Sequence, residues 1–487
     1  MLLFGVTGDL AGRYLMPALG ALHEAGRLPE DFRVLGASTR DWDDARLRAH
    51  LGAQLDRFAK QLPTASREAL LRAVHFHRVK LDQEGRVAEV LEQAEVKGPL
   101  AVYMALPPGT YPKVLRQLAS ASLARGSRIA IEKPYGLDLA SARELQEQTS
   151  QLTRALGARA IYLVDFLLGM TPLQNLIELR RANPLLAASW RREVIDRVEL
   201  HWEETLGLEG RATYFDHAGM LRDVVQSHVL QLLATVAMEL PTNPDDARAM
   251  QEARLSVVRS IRKMGARDVV RDTRRARYGK GILPRSGSEP DRPTVAYADE
   301  EGVDPARNTE TFAQLLLWVD TPRWQGVPFV IRSGKALSRM RKEVVLHLRR
   351  GLGYGEARAP TRLRVGIDGP TDLELTLLGS SGGLHAPPAS LTFAASPPPS
   401  NLPAYASMLD DLLRDRSTLA VLPEEAVAAW EVLTPVLECW ARNEVPLETY
   451  PAGSTGPDGD WPRSDAAGGV SGIRVPSAEK RPELPRR

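Results

Sequence analysis

The segment Gly5, Val6, Thr7, Gly8, Asp9, Leu10, Ala11, Gly12 constrains this chain more than any other, because it joins a short apolar run at 2–5 directly to a helix-like pattern from Leu10 to Ala25. A strand that turns through glycines into a helix opens a strand–helix–strand unit. The glycines let backbone amides approach an anion at the positive end of the helix dipole. Further short apolar strands are read at Arg33–Gly36, Leu100–Tyr103 and Arg128–Ile131, with helical patterns between them, which predicts a parallel sheet covered by helices. From Val194 the texture changes to longer strands with period-two alternation, as in Val198–Glu203 and Glu343–Leu348. Helices are expected around Leu221–Met238 and Glu310–Trp318.

The expected class is an α/β, Rossmann-type N-terminal domain followed by a larger α+β domain with a mostly antiparallel sheet. Boundaries are expected at 1–165 and 166–457, with 458–487, rich in Gly, Pro, Ser and charge, as a disordered tail. At 487 residues the chain is too long for a single core. Its net charge of +2 gives no argument for nucleic acid or an acidic membrane surface. No stretch is long and apolar enough to span a bilayer. The single cysteine, Cys439, lies in an apolar helical pattern and reads as a buried, inert thiol, which suits a cytoplasmic protein. His75 and His77 read as strand alternation rather than a ligand pair, and no metal site is expected.

Three segments carry chemistry. The Gly5 and Gly8 turn suits a dinucleotide pyrophosphate. At the end of the second strand the residues are Ala37, Ser38, Thr39 and Arg40, with no carboxylate for a ribose hydroxyl and an arginine for a 2′-phosphate, which favours NADP over NAD. The alternative is a surface arginine beside Asp41. Ile131, Glu132, Lys133, Pro134, Tyr135 and Gly136 form a second strand end, where Lys133 would project toward nicotinamide and substrate, with Pro134 open to a cis bond. In the third segment, Arg222 to His228, Asp223 and His228 are five apart and do not share one α-helical stripe. Histidine is the natural base for a hydroxyl proton during hydride transfer.

In this order and at these separations the three segments resemble the glucose-6-phosphate dehydrogenase family. The resemblance runs from Leu2 to about Pro457 and includes Ala105–Pro108, Glu209–Arg211, Tyr214–Asp216, Asn308–Phe312, Arg323–Phe329, Arg332–Lys335 and Tyr450–Ser454. It implies oxidation of a pyranose at C1 to the lactone with hydride passing to NADP, in a homodimer built on the second domain's sheet. His228 would be the base and Asp165 its orienting carboxylate. Gly5, Thr7, Gly8, Asp9, Leu10, Ser38, Arg40, Pro107 and Lys133 would hold the cofactor, and Lys133, Glu204, Asp223 and Lys335 the sugar.

One segment departs from the family. Where its members typically carry histidine, tyrosine and lysine for a 6-phosphate, this chain has Phe166, Leu167 and Met170, and only Arg13 remains of a usual basic run in the first helix. Past Lys335, a position often basic in relatives is Met340, flanked by Arg339 and Arg341. Two readings follow: Arg13, Arg180 or Arg181 supplies the missing charge, or Phe166 and Met170 contact a sugar without a 6-phosphate. Two further readings are a non-catalytic NADP-binding relative and an oxidoreductase acting on another ring hydroxyl of a sugar or cyclitol. Retention of Lys133, Asp165, His228 and Lys335 together argues against the non-catalytic one.

Overall fold

The computed structural model describes residues 1–243, 245–284, 291–349, 361–368, 372–380, 382, 388–396, 402–459 and 461. The chain forms two compact units that are not simple halves of the sequence. One comprises Met1–Ala182, Ala234–Arg259 and Pro398–Glu431, the other Asn183–Leu233, Ser260–Pro397 and Val432–Arg487.

The first unit is built on strands β1 (Leu2–Phe4), β2 (Val34–Ser38), β3 (Val74–Arg78), β4 (Ala101–Met104), β5 (Arg128–Glu132) and β6 (Ile161–Val164). They pair in the order β3-β2-β1-β4-β5-β6, every pair parallel. β1, β5 and β6 are buried along their whole length, as expected of parallel strands covered on both faces, which is why they read as unbroken apolar runs. Strand order reverses between β1 and β4, where open parallel sheets collect ligands at their carboxyl ends. Leu3, Val6, Leu15, Leu19, Leu47 and Tyr103 pack in one core with Met408 and Leu409, which arrive from the later helix Ala404–Leu413. Arg128 is buried and ties β5 to that helix by donating to the Leu412 carbonyl at 2.8 Å. As read from sequence, His75 and His77 lie within β3.

The second unit contains β7 (Ile195–Glu203), β8 (Thr273–Gly279), the short pair β9 (Gly281–Leu283) and β10 (Arg292–Thr294), then β11 (Phe312–Trp318), β12 (Pro328–Gly334), β13 (Arg341–Leu348), β14 (Arg362–Gly366), β15 (Leu373–Ser380), β16 (Pro388–Ala395) and β17 (Leu447–Pro451). Nine form one sheet, ordered β16-β15-β14-β13-β7-β12-β11-β8-β17. The sheet is mixed rather than simply antiparallel: β7 with β12 and β8 with β17 run parallel, since long connections containing further helices and strands separate them in sequence.

The helix expected at Glu310–Trp318 is strand β11. Its seven residues pair with β12 on one side and Phe312 to Leu315 with β8 on the other, and a short apolar run buried on both faces mimics a helix segment by periodicity alone. From Val198 to Glu203 both faces of β7 are also buried. Glu199 is bracketed by Arg197 at 2.8 Å, His201 at 3.1 Å and His347 at 3.1 Å, and Glu203 by Arg332 and Arg341 at 2.5 and 2.7 Å. The tail expected from 458 begins as fixed structure: Arg274 donates to the Pro457 and Asp458 carbonyls, and the buried Trp461 packs on Leu316, Val330 and Trp318. The remaining tail residues, 460 and 462–487, lie outside the described residues.

Candidate active site

The first turn of unit 1 is shaped by steric necessity. Gly5 has φ +75°, and a Cβ there would fall 2.0 Å from the Ala105 carbonyl oxygen, so only glycine lets β1 and β4 approach so closely at the switch point. Gly5 N–H donates to the Ala37 carbonyl and Gly8 N–H to the Gly5 carbonyl, both at 2.9 Å. A side chain at Gly12 would strike Gln54 at 2.7 Å, so this glycine serves the packing of the first helix. Gly8 and Asp9 are exposed at the helix start and Leu10 is half-buried. The arrangement fits the pyrophosphate of a dinucleotide. Pro107, exposed at the end of β4, has its carbonyl fixed by the Thr110 hydroxyl at 2.7 Å.

At the tip of β2 the Thr7 and Ser38 hydroxyls lie 3.0 Å apart. Arg40 is exposed, its guanidinium 5.3 Å from the Trp42 ring centre, with Arg46 at 5.1 Å from the same ring. The neighbouring Asp41 pairs with Arg78 at 3.1 Å, and Arg78 is the register partner of Ser38. Arg40, Arg46 and Arg78 thus lie near the tip of β2, where Asp41 pairs with Arg78.

At the ends of β5 and β6, Glu132 pairs in register with Val164, so Lys133 and Asp165 leave the sheet next to one another. The Lys133–Pro134 bond is cis. Asp165 is buried and its Oδ1 accepts the Leu167 N–H at 3.1 Å, capping the short helix Phe166–Gly169. Burial pushes its carboxyl up to about 7, against the pull of the Lys133 ammonium and that N–H. The Lys133 ammonium lies 5.7 Å from the Phe166 ring centre, and Phe166 stacks on Tyr405 at 6.5 Å and 16°. Tyr405 in turn meets Tyr14 at 5.4 Å. Leu167 is wholly buried, whereas Phe166 and Met170 are half-buried. Gly169 is required there, because a Cβ would sit 2.4 Å from the Ala404 carbonyl oxygen.

Of the arginines that could replace the missing cations, Arg180 and Arg181 are otherwise engaged, and Arg13 is exposed. Arg180 is buried and donates to the Thr235, Val236 and Met238 carbonyls at 3.2, 3.2 and 2.8 Å. Arg181 pairs with Glu178 at 2.7 Å. Arg13 lies over the Tyr14 and Phe58 rings at 5.3 and 5.5 Å.

In the second unit a π-helix, Leu221–Val229, runs directly into the α-helix Leu230–Ala237. The expectation that Asp223 and His228 lie off one stripe assumed α geometry; i→i+5 bonding, seen from the Leu230 N–H to the Val225 carbonyl, widens each turn and brings positions five apart closer to the same side. His228 is buried with its ring stacked on Trp202 at 5.3 Å and 13°. Asp223 is half-buried and accepts the Tyr214 hydroxyl at 3.2 Å. The helix start is held by Glu310, whose Oε1 accepts the Leu221 N–H at 2.9 Å. Lys335 donates to Glu204 Oε2 at 2.6 Å, and its backbone carbonyl is fixed by the Tyr450 hydroxyl at 2.7 Å. Burial raises the Glu204 carboxyl, but the ammoniums of Lys335 and Lys342 outweigh it and hold the group below the usual range.

The structure thus brings Lys133 next to Asp165 and Phe166 in one unit and Lys335 next to Glu204 in the other, while Asp223 bonds Tyr214 and His228 stacks on Trp202. Sequence reasoning missed Glu132, Tyr103, Tyr405 and Glu310. Glu132 stood in the quoted motif, but the tyrosines reach it from distant segments and carry no local signal. Among the described residues no group of histidine, cysteine and acidic side chains could hold a metal, and no helix is long and apolar enough to cross a membrane. Cys439 is buried, which raises its thiol.

Residues 2–175 match the family model described as glucose-6-phosphate dehydrogenase, NAD binding domain, and residues 177–461 match the C-terminal domain of the same enzyme. The chain is 35% identical to glucose-6-phosphate 1-dehydrogenase of Treponema pallidum, covering 94% of this chain and 92% of that one, and 33% identical to the enzyme of Zymomonas mobilis, covering 94% and 95%. Among solved structures it resembles a glucose-6-phosphate dehydrogenase in complex with its substrate glucose-6-phosphate, with a TM-score of 0.83 at 27% identity over 94% of this chain and 95% of that one.

Proposed function

The chain belongs to the glucose-6-phosphate dehydrogenase family, and from that premise we propose that it oxidises a hexopyranose at C1 to the lactone with NADP as acceptor. A dehydrogenase nucleotide-binding domain implies a pyridine nucleotide; the choice of NADP is supported by Arg40, Arg46 and Arg78 around Ser38. When bound, the dinucleotide takes up the C1 hydride. His228 takes the proton of the C1 hydroxyl, with Asp165 in the family's role of orienting carboxylate. Lys133 offers its ammonium to a sugar oxygen. Glu204 and Lys335, already paired, present an acceptor and a donor to ring hydroxyls, and Asp223 a further acceptor.

The finer part of the reading concerns C6. We infer that the sugar is recognised there without a 6-phosphate, and the observation that carries this is the aromatic surface next to Lys133. Phe166 stacks on Tyr405 where the family has a phosphate ligand, and the wholly buried Leu167 replaces another. A phosphate against Phe166 and Met170 would lose hydration to side chains that offer it no hydrogen-bond donor. A homodimer through the sheet of unit 2 is part of the same reading, supported by Leu391 and Phe393, exposed on edge strand β16. So is a reducing cytoplasmic setting for a chain with one buried cysteine.

The test is NADP reduction, followed by absorbance, with glucose 6-phosphate beside glucose and a panel of deoxy and amino hexoses, and proton release measured as the lactone opens. Turnover of unphosphorylated sugars alone supports both parts. Rapid turnover of glucose 6-phosphate at sub-millimolar concentration removes the finer part, and ketose formation without acid release removes C1 oxidation.

A further inference from the structure

Glu132 is a buried carboxyl that the reading above leaves without a role, one residue before Lys133 at the end of β5. Its strand register with Val164 puts Lys133 and Asp165 side by side, so two acids and one ammonium meet at this edge of the sheet. The Tyr103 hydroxyl, from β4, donates to Glu132 Oε1 at 2.5 Å. The Tyr405 hydroxyl, from helix Ala404–Leu413, donates to the same carboxylate, and the Tyr111 hydroxyl fixes the backbone by donating to the Glu132 carbonyl at 2.9 Å. The other titratable groups acting on this cluster include Lys133 itself, Asp165, Glu425 toward Asp165, Tyr14 toward Tyr405 and Tyr162 toward Tyr103.

We propose that Glu132 is a positioning residue acting through Lys133 and Asp165: as a carboxylate gripped by Tyr103 and Tyr405, it shares the Lys133 ammonium and holds the Asp165 proton to higher pH. One ammonium compensates one carboxylate, so the second ionisation leaves net negative charge in a desolvated place and is resisted. The two acids then lose their protons in two steps that belong to the cluster rather than to either residue. Burial raises both carboxyls to about 7, Lys133 pulls both down, and Glu132 adds to the rise of Asp165. Tyrosine hydroxyls stabilise the ionised form of Glu132 and so keep a like charge facing Asp165.

The kinetic readout rests on the proposed function, in which Asp165 must be ionised. In the full chain, Glu132→Gln keeps shape and an acceptor for both tyrosines while removing the charge. Its acid limb of kcat/KM should move to lower pH by about one unit, the scale of shifts caused by a single neighbouring charge. Tyr103→Phe, which weakens the ionised form of Glu132, should move the limb the same way by less. Infrared difference spectra need no substrate: the band of a protonated buried carboxyl, assigned to Asp165 by its loss in Asp165→Asn, should titrate at lower pH in Glu132→Gln. An unshifted Asp165 titration in folded Glu132→Gln and Tyr103→Phe overturns the proposal. If no sugar is oxidised, the functional reading fails and the infrared titration alone decides the role of Glu132.

Discussion

The ammonium of Lys133 lies 5.7 Å from the centre of the Phe166 ring, so the lysine proposed to hold sugar and cofactor looks onto an aromatic surface. A cation over a ring face retains favourable electrostatics without an anion present. Restoring the lost ligands is therefore informative. Phe166→His with Met170→Lys should raise kcat/KM for glucose 6-phosphate at least tenfold, since each hydrogen bond to a charged group contributes roughly 1.5–3 kcal/mol. Adding Leu167→Tyr tests a wholly buried position, where overpacking costs about 1–3 kcal/mol. Steady-state kinetics on both sugars measures the effect, and an unchanged preference would sink the altered recognition of C6.

Arg40 is exposed over Trp42 and offers its guanidinium to a 2′-phosphate. Arg40→Ala should weaken NADP binding by roughly ten- to a hundredfold, the equivalent of one or two charge-assisted hydrogen bonds, while NAD binding changes little. Fluorescence titration of both cofactors checks this, and an equal loss for the two would remove Arg40 from cofactor selection.

Glu203 is buried between Arg332 and Arg341, and although burial pushes its carboxyl up, the two guanidiniums bring it down to about 2. A depressed carboxyl contributes stability that is fully present above its unfolded value near 4.5 and is lost as pH falls toward 2. At pH 7 this amounts to about 3 kcal/mol. Glu203→Gln should lower Tm at pH 7, with the gap to the unmodified protein narrowing as pH is lowered from 5 to 3. A pH-independent gap would mean that the ion pairs are not its source.

Glu310 caps the helix that carries His228, and Gly219, at φ +68°, makes room for it: a Cβ there would meet Glu310 Oε1 at 2.5 Å. Glu310→Ala should cost about 1–2 kcal/mol for the unsatisfied Leu221 N–H. Gly219→Ala should also destabilise, through backbone strain and the clash. Thermal unfolding measures both, and variants as stable as the starting protein would remove the cap from the account.

Leu391 and Phe393 are 47% and 59% exposed on edge strand β16. Leu391→Asp with Phe393→Asp should convert a dimer to a monomer in analytical ultracentrifugation while leaving Tm at low protein concentration nearly unchanged. An unaltered sedimentation coefficient would place the subunit contact elsewhere.

What the amino-acid order determined by itself is local. The glycine turn from Gly5 to Gly12, the apolar strands of the parallel sheet, the motif around Lys133 and the loss of ligands at Phe166, Leu167 and Met170 all follow from neighbours in sequence, because propensity, period and turn chemistry act over a few residues. Where two structures share one local pattern, only packing chose between them. Phe312–Trp318 became a strand because β8 and β12 offered ladders on both sides, and Trp461 settled on the sheet because Leu316, Val330 and Trp318 cover it. The electrostatics of the site were likewise decided by tertiary structure. Tyr405 reaches Glu132 and Phe166 from a segment more than two hundred residues away in sequence. Burial, which no single residue encodes, raised Glu132 and Asp165 toward neutrality. Desolvation depends on everything that surrounds a group, and what surrounds a group is known only when the chain has folded.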